Sequence, residues 1–439
     1  MGKNLLNQQT SHCWIWGLAL IVILGLVARG WLWEVYGASP QMAPDSFEYV
    51  ELAKELARSG LFIDRHGSPE ITRTPGYPLF LAVFYRLEID LIYVVVVQNL
   101  ITLVIAAILG IWIGRTYKPK IGLLSSLLIT FNFPMMVNSY FILTEAICIS
   151  LVTASFFLLL GVTELGRYKY QRALLGGLTI GLAVLVRPAV APLVIPVTLY
   201  ILIYSNRRWG VLLTFLCSFA LAPVSWMIRN YVEVDQFVLS DISAVNLLLY
   251  QGAGTLALVS GDDYASEFIT QQKRLRELAS EQASLRASRR PSSEKTSDTE
   301  FYLDLFRKIA ISHPGELIAH TARNIGLTLF GFSTSQLSRV FAIDYQRARY
   351  VALSLSSLTV VFLLLGLAQL WRQDRKFCTL AVFFITHFIV IGALTGVGGT
   401  RFRIPIEPIF CIAVAHGFYC VIGREKLRRR WSDACGKDP

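Results

Sequence analysis

Residues 92–114 read IYVVVVQNLITLVIAAILGIWIG, a run without one charged side chain. At a helical rise of about 1.5 Å per residue, it is long enough to cross a hydrocarbon core of roughly 30 Å. Residues 14–33 and 351–371 are runs of the same kind. The whole chain has 439 residues, of which 54% are hydrophobic and 16% charged. Soluble domains average roughly 25% charged, so the composition argues against a soluble enzyme. The length is that of one membrane bundle with loops, not of two or three soluble domains. The first run is long, has Trp14 and Trp33 at its ends and has no clear small-x-small cleavage site. It is read as a retained span and not as a signal peptide.

About ten spans are expected, near 13–33, 92–114, 119–138, 143–164, 172–187, 188–205, 208–227, 349–371, 377–396 and 405–423. The short connections give them an orientation. Arg115, Lys118 and Lys120 follow the second run, and Arg167, Lys169 and Arg172 follow the fourth. Arg207 and Arg208 follow the sixth; Arg372, Arg375 and Lys376 follow the eighth. Arg424, Lys426, Arg428, Arg429 and Arg430 follow the last. Positive charge marks the cytoplasmic side, so both termini are expected there. This distribution also accounts for the net charge of +11 without a nucleic-acid partner.

Two long segments then face outward, about 34–91 and about 229–349. The first contains an amphipathic stretch, 45–59, with Phe47, Val50, Ala53 and Ala57 on one face. It also contains Pro75-Gly76-Tyr77-Pro78 before an apolar run too short to span. The second contains a polar insertion, about 262–300, expected as an exposed helix and a flexible stretch around 289–293. His313-Pro314-Gly315 then opens another amphipathic helix, to about Phe330. Residues 426–439 form a basic tail. The seven cysteines include no C-x-x-C pair, and the six histidines no H-x-x-x-H. Neither a disulfide framework nor a thiolate or histidine metal site is implied.

Charged residues are costly near a bilayer and need a reason. With this topology several gather at outer span ends: Asp45, Arg73, Glu145, Arg187, Arg229, Arg401, Arg403 and Glu407. Two carboxylates among arginines suit a phosphate leaving group and a hydroxyl nucleophile, because arginine binds phosphate bidentately and stays charged. A carboxylate serves as a base or holds a divalent cation. Each has a plainer reading. Asp45 with Glu48 fits a capping box, Glu145 a helix cap, and Arg187 before Pro188 a donor to freed carbonyls. Arg229 fits an interfacial anchor, and Arg401 and Arg403 an ordinary loop.

Taken together the segments resemble the GT-C membrane glycosyltransferases, in particular the ArnT-like and protein-mannosyltransferase-like branch that uses polyprenyl-phosphate sugars. The residues that carry the resemblance are Pro44-Asp45-Ser46-Phe47-Glu48-Tyr49 and Arg73-Thr74-Pro75-Gly76-Tyr77-Pro78-Leu79-Phe80. Leu143-Thr144-Glu145, Arg187-Pro188, Trp226-Met227-Ile228-Arg229-Asn230 and Arg401-Phe402-Arg403-Ile404-Pro405 follow in the family order. The resemblance covers 1–425. It implies an all-α bundle that moves a sugar from a polyprenyl-phosphate donor to an acceptor hydroxyl on the outer face, with inversion. The acceptor is a glycan, a lipid or a protein, and the setting a bacterial inner membrane. It further implies Asp45 and Glu145 as the catalytic carboxylates. Arg73, Arg187, Arg229, Arg401 and Arg403 are candidates for the donor phosphate, and Tyr77 for lining the lipid-phosphate entrance. Many relatives carry a second acidic residue where this chain has Ser46, which leaves a divalent cation on Asp45 and Glu145 an open call.

Two other classes compete. A transporter or flippase of a lipid-linked or anionic solute needs charges along a midplane path and usually internal repeats, and neither is visible. A non-catalytic relative would keep the fold without the carboxylates' chemistry.

Overall fold

The structure, a computed structural model, describes residues 2–37, 39–163, 168–261, 263–289, 299–396 and 398–435. Arg167, the stretch 290–298 and tail residues 436–439 lie outside the described residues. Among those described, every regular element is helical.

The protein is an integral, multi-pass membrane protein. Among the described residues, eight helices are long and apolar enough to cross a membrane. Seven coincide with expected runs: Trp14–Tyr36, Ile92–Thr116, Glu145–Thr163, Arg208–Val234, Tyr345–Gln373, Arg375–Leu394 and Thr400–Ile422. The eighth, Ile242–Ser260, falls inside the segment expected to be an outer loop. The three remaining expected runs are shorter or more polar helices.

In chain order, α1 (Gly2–Tyr36) leads to two helices of the first loop, α2 (Pro44–Ser59) and α3 (Gly76–Arg86). Then come α4 (Ile92–Thr116), α5 (Pro119–Thr130), α6 (Phe133–Asn138) and α7 (Glu145–Leu160). They are followed by α8 (Lys169–Val186), α9 (Val194–Tyr204) and α10 (Arg208–Val234). A second group follows: α11 (Ile242–Asn246), α12 (Ala253–Ser260), α13 (Tyr264–Arg289), α14 (Thr299–Ser312) and α15 (Pro314–Phe330). The chain closes with α16 (Thr334–Phe341), α17 (Tyr345–Gln373), α18 (Arg375–Leu394), α19 (Thr400–Arg403) and α20 (Glu407–Cys435).

The expected span 119–138 is broken. α5 has 12 residues, about 18 Å at the usual rise, and stops at Thr130. Asn132 then caps α6, its Oδ1 accepting from the Met135 amide at 3.0 Å. A helix ending inside the bundle leaves carbonyls without donors. Arg29, buried in α1, supplies one: Nη1 donates to the Thr130 carbonyl at 3.2 Å, and Nη2 to Thr102 Oγ1 at 3.1 Å. Elsewhere small residues let backbones approach, as expected where lipid offers no hydrophobic drive between helices. Gly366 of α17 lies against the Ala413 carbonyl of α20, and Gly417 against the Phe362 carbonyl, so a Cβ at either would strike backbone.

In α2 the buried face is Ser46, Tyr49, Val50, Leu52 and Ala53. Phe47, expected on that face, is exposed instead. The second group of helices has its own small core of Leu248, Leu249, Ala253, Leu275 and Ile309, separate from that of the bundle. Three basic connections meet at one end of the bundle. There Tyr117 donates to Asp374 at 2.9 Å and Lys376 to the Thr163 carbonyl at 3.1 Å. α4, α7 and α18 run from that end to the other, where Glu145 and Thr395 lie.

Candidate active site

At the end away from the basic connections is a cavity of about 630 Å³, within the usual range for small-molecule sites. Five stretches distant in sequence bring charge to it. α2 carries Asp45 and Glu48, the loop before α3 carries Arg73, and α7 opens with Glu145. Arg187 follows α8 in an extended conformation that ends the helix before Pro188, and Arg401 lies in α19. Gly76 explains part of this placement. Its Cα rests on the backbone of Leu185 and Val186, where any side chain would collide. The Pro75-Gly76 turn is thereby seated beside Arg187.

The charges form a chain of pairs. Arg73 Nη2 donates to Asp45 Oδ1 at 3.0 Å and Nε to Glu48 Oε2 at 2.7 Å. Arg401 Nη1 donates to Asp45 Oδ2 at 3.2 Å, while its Nε donates to Glu145 Oε1 at 2.7 Å. Arg187 Nη1 reaches the same Glu145 oxygen at 3.3 Å. Glu145 is 2% exposed, and its other oxygen has no hydrogen-bond partner. Burial alone would raise the Asp45 carboxyl, but Arg401 and Arg73 outweigh it and hold it below the usual carboxylate range. The α2 cap is made without Asp45: the Ala43 amide donates to Ser46 Oγ at 2.9 Å. The capping reading of Asp45 with Glu48 is therefore replaced by pairing with arginines.

Five of the eight expected residues converge here: Asp45, Arg73, Glu145, Arg187 and Arg401. The other three do not. Tyr77 does not line the cavity; it is wholly buried, donates to Gln98 Oε1 at 2.9 Å and meets Tyr49 edge-on. Tyr49 in turn lies under the Arg73 guanidinium, so Tyr77 supports the site from behind. Arg229 stacks on Trp226 and donates to the carbonyls of Phe62 at 2.6 Å and Glu70 at 2.9 Å. It holds the loop that presents Arg73. Arg403 is paired with Glu407 at 2.6 Å and donates to the carbonyls of Thr328, Leu329 and Gly331, closing the C-terminus of α15. Residues two apart in a helical turn face apart, which separates Arg401 from Arg403.

Two residues were missed. Glu48, a capping partner by its spacing from Asp45, binds Arg73 instead. Arg276, from the insertion taken as a solvated face, lines the cavity. A partial signal is present in sequence: Leu275 and Ala279, four apart in the polar stretch of α13, mark the face that docks.

A divalent cation does not fit this arrangement. The Asp45 oxygens accept from Arg73 and Arg401, and Glu145 Oε1 accepts from the same Arg401 and from Arg187. Among the described residues no three His, Cys, Asp or Glu side chains gather as a metal set.

Residues 72–228, about a third of the chain, match a family described as dolichyl-phosphate-mannose-protein mannosyltransferase. No curated protein sequence matches. Among solved structures, the apo oligosaccharyltransferase of Archaeoglobus fulgidus aligns over 98% of this chain and 52% of its own, at 11% identity and TM-score 0.56. The chain thus spans about half the length of that protein. ArnT from Cupriavidus metallidurans bound to undecaprenyl phosphate aligns over 92% of this chain and 77% of its own, at 14% identity and TM-score 0.42. The fold is that of the GT-C type, an all-helical membrane bundle shared with the matched half of the oligosaccharyltransferase.

Proposed function

We propose that this protein transfers a sugar from a polyprenyl-phosphate donor to an acceptor hydroxyl on the outer face of a bacterial inner membrane. Both termini are then cytoplasmic, and the acceptor is a glycan, a lipid or a protein. The observation that carries the reading is the bridge of Arg401, in the wall of the cavity, between Asp45 and the buried Glu145. The mannosyltransferase family match over 72–228 supports a lipid-phosphate donor. The position of the cavity, opposite the basic connections, supports outer-face chemistry.

The three arginines are paired but not saturated. A guanidinium has five N–H donors; Arg187 uses one on Glu145, and Arg73 and Arg401 each use two. The remainder serve the donor phosphate. An acceptor hydroxyl oxygen attacks the anomeric carbon, and the bond from that carbon to the phosphate oxygen breaks. Polyprenyl phosphate leaves with the electron pair, and a single displacement inverts the centre. The hydroxyl proton passes to Asp45. Stabilisation of the departing phosphate by arginines is the main contribution.

The lowered pKa of Asp45 makes it a weak base at rest. A phosphate that draws Arg73 and Arg401 toward itself frees the carboxylate and strengthens it, so donor binding prepares the base. The test is release of polyprenyl phosphate from labelled polyprenyl-phosphate sugars by the purified protein. Asp45→Asn is expected to fold and insert but not to transfer. Wild-type turnover in that variant would overturn the role of Asp45.

A further inference from the structure

Among the described residues, charge around the cavity is balanced except at one. Asp45, Glu48 and Glu145 face Arg73, Arg187 and Arg401, each tied into the chain of ion pairs. Arg276 lines the same cavity and has no ion pair or hydrogen bond among the described residues. Its position is set by packing. Leu275 and Ala279 on the same helix are 3% and 7% exposed, Leu275 within the core of the second helix group. Gln272 Nε2 donates to the Leu249 carbonyl at 3.1 Å. The N-terminal turn is held too, with Tyr264 bonded to His320 at 3.0 Å and stacked on Phe268. α13 is therefore docked over the site and carries one unspent cation to it. Ser243, Asn246 and Tyr250 line the wall beside it and add neutral donors.

We propose that Arg276 is an anion-recognition residue that contacts a phosphate-class group of a substrate. The proposal rests on the transferase reading for the idea that a substrate enters here, but the charge imbalance is independent of it. An incoming phosphodiester brings one negative charge to a wall whose other ions already cancel, and Arg276 is the group that matches it. The same chemistry serves a lipid-borne donor phosphate or an anionic group on a water-borne acceptor.

Equilibrium binding to the full-length protein in detergent separates the two, with a polyprenyl phosphate as one probe and inorganic phosphate as the other. Arg276→Gln is compared with wild type and with Lys273→Gln, a change one turn away at an exposed residue paired to Glu277. Loss of a charged hydrogen bond predicts binding about 10- to 100-fold weaker in Arg276→Gln, and none of that loss in Lys273→Gln. Weakening for the lipid probe assigns Arg276 to the donor. Weakening for inorganic phosphate alone assigns it to a water-borne anion, and a wild type that binds only that probe defeats the donor reading but not this one. Equal binding of both probes by Arg276→Gln and wild type, or no binding of either by wild type, overturns the proposal.

Discussion

Asp45 and Glu145 are joined through one guanidinium: Arg401 Nη1 lies 3.2 Å from Asp45 and Nε 2.7 Å from Glu145. One carboxylate is partly open to the cavity and the other is sealed behind it. The bridge lets a change at the surface be felt at the buried anion.

A lysine cannot make that bridge, because an ammonium is a point charge without the planar fork. Arg401→Lys is expected to lower turnover by about 100-fold or more while the protein still inserts. Steady-state release of polyprenyl phosphate measures it, and near-normal turnover would show that charge alone suffices.

Glu145→Gln should act on stability as well as on rate. The residue is 2% exposed and neutralises two arginines, and removing one partner of a buried pair costs about 3–5 kcal/mol. Thermal unfolding in detergent should shift down clearly for Glu145→Gln and far less for Asp45→Asn, whose partners keep Glu48 and Glu145. Equal shifts would contradict the geometry.

Arg403→Ala should look structural. It leaves Glu407 buried without its cation and the carbonyls at the end of α15 without donors. The expected result is a loss of about 3–5 kcal/mol in stability, with an unchanged KM for donor in the protein that survives. A raised donor KM with normal stability would return Arg403 to the site.

Acid should loosen the α13 region before it protonates Asp45. His320 is pushed down to about 4 by burial, with Arg323 adding repulsion. The unfolded imidazole takes a proton near pH 6.5, so below that pH the unfolded state binds the extra proton and stability falls until about pH 4. Protection factors for amide exchange in 264–282, taken relative to the intrinsic rate at each pH, should therefore fall between pH 6.5 and 4, and His320→Gln should abolish the dependence. Asp45 contributes on the other side of its pairing: its stabilisation is present above the unfolded carboxylate value and is lost only as pH falls through its lowered one.

Chelation makes a further test. With the Asp45 oxygens and Glu145 Oε1 committed to arginines, transfer is expected to continue at its full rate in excess EDTA. Loss of activity restored by a divalent cation would mean that the pairs rearrange around a metal.

Most of the fold was legible because apolar runs and loop charge are local. The one apolar helix missed, Ile242–Ser260, hid behind Asn246 and Gln251, polar residues that break the run; Gln251 is satisfied within the protein by Thr321 at 2.6 Å. Span 119–138 was read as whole because a break at Phe131-Asn132 leaves no mark in hydrophobicity. In the site, residue types at span ends found Asp45, Glu145 and three arginines. Which arginine pairs with what depends on contacts across up to 356 residues, and no local pattern carries them. The ion pair of Arg403 with Glu407 is the exception in being local, four residues apart across the turn from α19 to α20.

The contact of Arg29 with Thr130 bears on how the chain is put into the membrane. α5 is too short to settle across the bilayer as an independent unit, and its terminal carbonyl finds its donor only on α1. Insertion of this short segment and its packing against α1 are therefore a single event, since alone it would leave a carbonyl unsatisfied in the bilayer.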